Sequence, residues 1–249
     1  MNDSALTKSK HLYLFSAVPK NIIVAFSGRD YDAGFDQEKE KIIYNRKKIL
    51  STVDIRLEQL VCANQIHDDK VVIVTNSDRA RGSVSRSDAI AYCDAMITKE
   101  KNIALGVLTA DCLSVFLLDE VKNVIAIVHS GWRGTKKAIL KKTVYILKEI
   151  FQVEPKNLLA YFGPAIRSCC YEVKEEFLDY FKRGVIRRDG KIFLDLIQIN
   201  RLQLQECGVL NANIFDCQIC TFCQNDTFFS YRKEGKNCGR QISLVMMRD

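Results

Sequence analysis

Apolar residues fall along this chain in short, dense runs. Ile22 to Phe26, Val71 to Val74, Ala104 to Leu108, Leu113 to Leu118, Val124 to Val128, Leu158 to Phe162 and Gln241 to Met246 are each four to six residues long. Runs of that length, rich in branched side chains, predict strands. Other stretches carry apolar residues at helical spacing instead. Asp36 to Leu50 places Ile42, Ile43, Ile49 and Leu50 on one side, with Asp36 as the expected cap. Thr135 to Phe151 sets Ala138, Ile139, Val144, Ile146, Leu147 and Phe151 against a wet face of lysines, and Pro155 stops any continuation. Val173 to Phe181 and Leu196 to Cys207 are further predicted helices, the second closed by Gly208.

Strands and helices alternate without a strict βαβ order. The pattern therefore predicts an α+β fold, an α/β layered sandwich of mixed, largely antiparallel sheets flanked by helices. No repeat, low-complexity tract or linker divides the chain, so residues 1–249 are expected to form one catalytic domain.

Composition narrows the class. With 47% hydrophobic residues, 27% charged and only 3 Pro, the chain is neither disordered nor collagen-like. The apolar runs are far shorter than the roughly 20 residues a bilayer needs, so no membrane association is expected. Met1 to Lys10 holds no apolar signal core. Ten cysteines without such a signal predict reduced thiols and a cytoplasmic location. The net charge of +7 is mild and has no dominant Lys/Arg run; it predicts anionic small-molecule substrates and no nucleic acid, with a monomer expected.

The segment with most chemistry is Thr109-Ala-Asp-Cys112, a strand, the polar link Asp119 to Lys122, a second strand, and His129-Ser-Gly-Trp-Arg-Gly134. Two apolar strands around a four-residue polar link predict a hairpin. If Leu118 pairs with Asn123, the same register sets Cys112 opposite His129, with Cβ atoms about 4.5–5.5 Å apart. A thiolate and an imidazole at that separation can share a zinc ion or act as a Cys–His nucleophile pair. The chain has three histidines. His11 has no polar companions in sequence. His67 sits in the polar turn Asn64 to Asp69, at the mouth of the strand beginning at Val71. His67, Cys112 and His129 together make a three-ligand site with an open fourth position, the catalytic form of a zinc site.

These residues belong to blocks that resemble the YfiH-type family, formerly described as multicopper polyphenol oxidases or laccases. The blocks are Asn64-Gln-Ile-His67, Asp94 to Thr98, Leu105 to Cys112, His129 to Gly134, Phe162 to Ile166, Cys169 to Val173, Cys220 to Cys223, Phe228 to Arg232 and Gly239 to Gln241. They run from about Phe26 to the C-terminus. The resemblance implies a layered sandwich similar to the catalytic domain of a cytotoxic necrotising toxin. It implies phosphorolysis of adenosine, inosine and methylthioadenosine, with hydrolytic deamination of adenosine. It also implies one Zn²⁺ per chain on His67, Cys112 and His129, with copper as a substitute. The family's loop after the Ser/Thr-x-Arg element is usually longer than Ser27 to Gly34 here, which implies a more open pocket.

Phosphorolysis needs a cationic clamp, because guanidinium binds oxyanions bidentately. Arg133, four residues after His129, is expected to be catalytic and to bind substrate, with Arg29 as a second substrate contact. Gln65 is expected to orient substrate or water, or else to cap the turn, and Asp111 reads equally as standing behind one of the histidines or as an ordinary strand-end acid. Trp132 reads as a core anchor rather than a purine platform. The competing enzyme class is a Cys112–His129 amide hydrolase editing peptidoglycan precursors. Polyphenol oxidation by several His-rich copper centres is excluded by the count of three histidines. Cys217, Cys220, Cys223 and Cys238 have a spacing compatible with a second metal site, whereas adjacent Cys169 and Cys170 are expected to be buried thiols.

Overall fold

The structure, a computed structural model, describes residues 2–3 and 6–249. Two sheets lie face to face. The first runs, in spatial order, Asn2–Asp3, Ile214–Asp216, Leu159–Phe162, Leu113–Asp119, Val124–Ser130, Ala95–Thr98 and Val71–Ile73. The second runs Leu6–Ser9, Leu12–Phe15, Ile22–Ser27, Gln241–Met247, Ala104–Thr109 and Leu60–Cys62. Most strand pairs are antiparallel; the parallel ones are Leu60–Cys62 with Ala104–Thr109, Val71–Ile73 with Ala95–Thr98, and Ile214–Asp216 with both Asn2–Asp3 and Leu159–Phe162. A small sheet of Glu172–Val173, Lys191–Leu194 and Val185–Arg188 stands apart.

The period-2 geometry of a strand sends alternate side chains to opposite faces. Along Leu113–Asp119, Phe116 and Leu118 point into the core between the sheets, where they meet Phe26, Val107 and Val245. Val115 and Leu117 point the other way, into a core shared with Ile139, Leu140, Val144 and Leu147 of the helix Ile139–Phe151 and with Ile197 and Leu204 of the helix Leu196–Glu206. On the outer face of the second sheet, Ile23, Ala25, Leu244 and Met246 are covered by Ile49 and Leu50 of the helix Lys39–Leu50. The layers are helix, sheet, sheet, helix, as the α+β expectation has it. Strands buried on both faces explain why the runs are continuously apolar.

Several boundaries differ from the pattern-based expectation. The first helix begins at Lys39 with Glu38 as its cap, not Asp36, whose side chain pairs with Arg86 instead. The stretch from Thr135 to Phe151 is broken: one short helix covers Trp132–Lys136, and Ala138 takes a left-handed φ of 58° before the next begins. That conformation costs a non-glycine residue about 1–2 kcal/mol. Periodicity does not register a break of two residues, Lys137 and Ala138; the short helix before it is held by hydrogen bonds of the Thr135 hydroxyl with Ser130 and Asn200. Val173 to Phe181 is not one helix. Val173 pairs with Ile192 in the small sheet, and only Phe177–Tyr180 is helical.

The hairpin register also differs. Val124 pairs with Asp119 and His129 with Ser114, so the ladder closes at Leu113 and leaves Cys112 just outside it. The turn is residues 120–123, because Asp119 stays in the strand and its carboxylate accepts a hydrogen bond from the Lys122 amide at 2.9 Å. Asn123 takes the left-handed φ of 48° that Asn tolerates. The shift is by two residues. It preserves face parity, so Cys112 and His129 remain on one side as diagonal rather than opposed neighbours.

Candidate active site

At the mouth of the hairpin the ligand atoms of His67, Cys112 and His129 lie within 4.8 Å of one another. Gly131 makes this approach possible. A Cβ there would stand 2.8 Å from Cys112 Sγ and 3.5 Å from His67 Cδ2. The two imidazole rings meet edge to face with centroids 4.9 Å apart. His67 has a φ of 60° and Asp111, next to Cys112, a φ of 88°. Such conformations store about 1–3 kcal/mol each and persist only where the surroundings enforce them.

Asp94 does the enforcing for His67. It is fully buried and precedes the strand Ala95–Thr98. Its carboxylate accepts hydrogen bonds from the backbone amides of Ile66 (3.2 Å), His67 (3.0 Å) and Asp68 (2.9 Å). It also accepts a hydrogen bond from the Nδ1–H of His129 at 2.7 Å. A carboxylate only accepts, so the bond fixes the ring tautomer and turns Nε2 towards the thiol. Burial alone would raise the Cys112 thiol. The charge on His129, with hydrogen bonds from His129 and His67, overcomes this and lowers it to about 6. Burial would likewise lower His129, but the Cys112 charge and the Asp94 hydrogen bond raise it to about 9. Without a metal, both shifts favour the thiolate–imidazolium form of the pair. Asp94 stays below the usual carboxylate range despite its burial, because His129 and the loop amides favour its charged form.

The trio opens into a cavity of about 560 Å³. That volume suits a small-molecule ligand. Gln65 and Arg133 both line it, as do Arg86, Arg232 and Arg240. The donor set of one thiolate and two imidazoles, with space in front of it, fits a tetrahedral ion that keeps one position for reactant.

Over residues 24–248 the chain matches the family described as "Multi-copper polyphenol oxidoreductase laccase". The chain belongs to that family. It is 31% identical over 216 residues to "Purine nucleoside phosphorylase YlmD" of Bacillus subtilis, covering 84% of this chain and 78% of that protein. It is 31% identical over 231 residues to "Adenosine deaminase RL5" from an unknown prokaryotic organism, covering 89% and 87%. The crystal structure of YlmD from Geobacillus stearothermophilus superposes with a TM-score of 0.95 at 25% identity, over 99% of this chain and all of that one.

Within this laccase-described family the chain offers one His-containing centre among its described residues. His11 lies away from it, with a polar companion after all: Asp30, at 3.3 Å, beside the Tyr31 ring. Arg133 faces the cavity, stacks over Trp132 at 4.3 Å and makes no ion pair among the described residues. Arg29 is elsewhere. It pairs with Glu234 at 3.1 Å, donates to the Asn225 carbonyl and does not line the cavity. Gln65 lines the cavity but spends its amide on the backbone of Leu108, bonded in both directions at 2.9 and 2.7 Å. Asp111 does not stand behind a histidine. It accepts from Thr221 Oγ1 and the Arg232 amide, both at 2.6 Å. The residue behind His129 is Asp94, which opens one of the blocks that resemble the family but has nothing local to mark it as a partner of histidine. Trp132 packs on Phe177 and stacks on Tyr180, but it is only half-buried and also lines the cavity, so it is not a core anchor alone. Arg232 and Arg240 lie in the C-terminal blocks that resemble the family, but nothing local marked them as cavity residues.

Proposed function

We propose that this chain is a zinc-dependent purine nucleoside phosphorylase that cleaves adenosine, inosine and methylthioadenosine with phosphate, and that it also deaminates adenosine. The observation that carries the reading is the His67–Cys112–His129 trio at the floor of an arginine-lined cavity. The names of the relatives support it: several are purine nucleoside phosphorylases and one an adenosine deaminase. None of its helices is long and apolar enough to cross a membrane among the described residues. All ten thiols are unpaired, which suits the reducing cytoplasm in which we place the protein.

His67, Cys112 and His129 would hold the metal, which would supply Lewis acidity to the substrate. Asp94 keeps His129 in the ligating tautomer and pins the loop that carries His67. Arg133 takes the phosphate through two parallel N–H donors, and Arg232 and Arg240 add positive potential where charge gathers on the leaving purine and the entering oxyanion. Arg29 has no part in this. The Cys112–His129–Asp94 chain also has the order of a nucleophile, base and orienting acid, but no relative reported above is named for amide hydrolysis.

Purified protein with adenosine and phosphate is expected to release adenine, and chelation is expected to abolish this until zinc is restored. Full activity in metal-free protein would remove the metal from the mechanism. Trapping of an acyl adduct on Cys112 would favour the hydrolase.

A further inference from the structure

A second cysteine cluster lies in the two loops that follow the strand Leu159–Phe162 and the strand Ile214–Asp216. The sulfurs of Cys169, Cys170, Cys220 and Cys223 all lie within 4.8 Å of one another. The membership differs from the sequence expectation. Cys217 and Cys238 are buried elsewhere, and Cys169 and Cys170 are not buried thiols: Cys169 is exposed, Cys170 half-buried, and both are partners of Cys223. Cys169 Sγ is 3.8 Å and Cys170 Sγ 3.3 Å from Cys223 Sγ. A tetrahedral ion with Zn–S bonds of about 2.3 Å holds its sulfurs about 3.8 Å apart. The spacing is too long for a disulfide, whose S–S bond is about 2.05 Å.

The scaffold is also that of a ligand set. Ala165 and Cys220 form a parallel bridge, and the Thr221 amide donates to the Ala165 carbonyl at 3.1 Å, so the two loops run side by side. Each then folds into a tight turn, with the Cys170 amide on the Arg167 carbonyl (2.9 Å) and the Gln224 amide on the Cys220 carbonyl (3.0 Å). Arg188 and Lys233 donate to the carbonyls of Cys169 and Phe222, bringing positive charge beside a centre that would carry net negative charge.

We propose that Cys169, Cys170, Cys220 and Cys223 bind one structural zinc ion, distinct from the His67–Cys112–His129 centre. All four positions are filled by protein, so the ion has no open site for substrate. Its role is to clamp the loop carrying Ile166 and Tyr171, both cavity residues, to the loop whose Thr221 supports Asp111. The space between the sulfurs admits a single ion and not a multi-iron cluster.

The test is metal analysis of the full chain loaded with zinc chloride and desalted. Two zinc ions per chain are expected in the unmodified protein. One is expected in Cys112→Ser and one in the double variant Cys220→Ser/Cys223→Ser. One ion in the unmodified protein, lost only with Cys112→Ser, would overturn the proposal; so would iron in place of zinc. A measurement on the unmodified chain guards against misfolding of the variants. Iodoacetamide is expected to spare the exposed Cys169 and Cys223 in zinc-loaded protein and to label them at least tenfold faster after chelation. Equal rates, or a disulfide among the four in the zinc-loaded chain, would overturn it.

Discussion

The two cysteine-bearing sites differ in how they are built. At the hairpin mouth, one thiol and two imidazoles come from three rigid settings: a strand entrance, a strand end, and a loop pinned by the buried carboxylate of Asp94. All three side chains line the cavity. The second cluster has four thiols on two surface turns, and they close on themselves. The first arrangement suits chemistry because its geometry is imposed from behind and its front is free. The second suits cohesion because a filled coordination shell has nothing left for a reactant. Burial separates them too: His129 is 2% exposed, whereas Cys169 and Cys223 are open to solvent.

That contrast is sharpest under substitution. Removing a ligand at the hairpin mouth, as in His129→Ala or Cys112→Ser, is expected to reduce adenine release at least about 10³-fold, because several kcal/mol of Lewis-acid stabilisation is lost. Steady-state assays on zinc-loaded variants check this. Activity within tenfold of the unmodified protein would make the two sites equivalent and dissolve the distinction.

In metal-stripped protein the pair itself can be titrated. Cys112 sits at about 6 rather than the ordinary 9, so its thiolate persists as pH falls until about 6 and is then protonated. His129 remains charged until about 9. Iodoacetamide labelling of Cys112 is expected to rise with a midpoint near pH 6 and stay flat towards pH 9. In His129→Ala the midpoint is expected to move up towards that of a normal thiol. A midpoint near 9 in the unmodified chain would show that the ion pair does not form.

Asp94→Asn replaces an acceptor of three amides and an imidazole by a group that also donates. Weakening of zinc affinity by about 10–100-fold is expected, with a loss of about 2–4 kcal/mol in urea unfolding. The carboxylate's native value is depressed, so its stabilisation is present above its unfolded value of about 3.9 and is lost as pH falls through the lower folded value. The asparagine variant should lack that acid-limb dependence.

The smallest effects discriminate among arginines. Arg133→Ala is expected to raise the KM for phosphate by about 10–100-fold, the worth of a charged bidentate contact. Arg29→Ala, which removes a partly exposed pair with Glu234, is expected to change it less than about twofold. Equal effects would place Arg29 in the phosphate path.

Much of the layered fold was legible as runs and periods, since a strand buried on both faces must be apolar throughout and an outer helix must be amphipathic. The zinc-type trio was legible because three histidines left few choices, and because a two-residue register shift does not change which face a side chain occupies. Asp94 was not legible as the organiser of two histidines, since its partners lie 26 to 35 residues away and become neighbours only when strands pair. The same holds for the second cluster: the spacing picked out Cys220 and Cys223 together with Cys217 and Cys238, which lie outside it, whereas the partners of Cys223 stand 53 and 54 residues earlier.

What the amino-acid order determined by itself is therefore local: which segments extend, which coil, which residues have donor atoms. Tertiary structure decided the companions, namely Asp94 with His129, Asp111 with Thr221, Arg29 with Glu234 and Cys169 with Cys223. The physical reason is that backbone propensity and burial act over a few residues, whereas a hydrogen bond or a coordination shell depends on distances of 2 to 4 Å that are set by how whole sheets and loops pack.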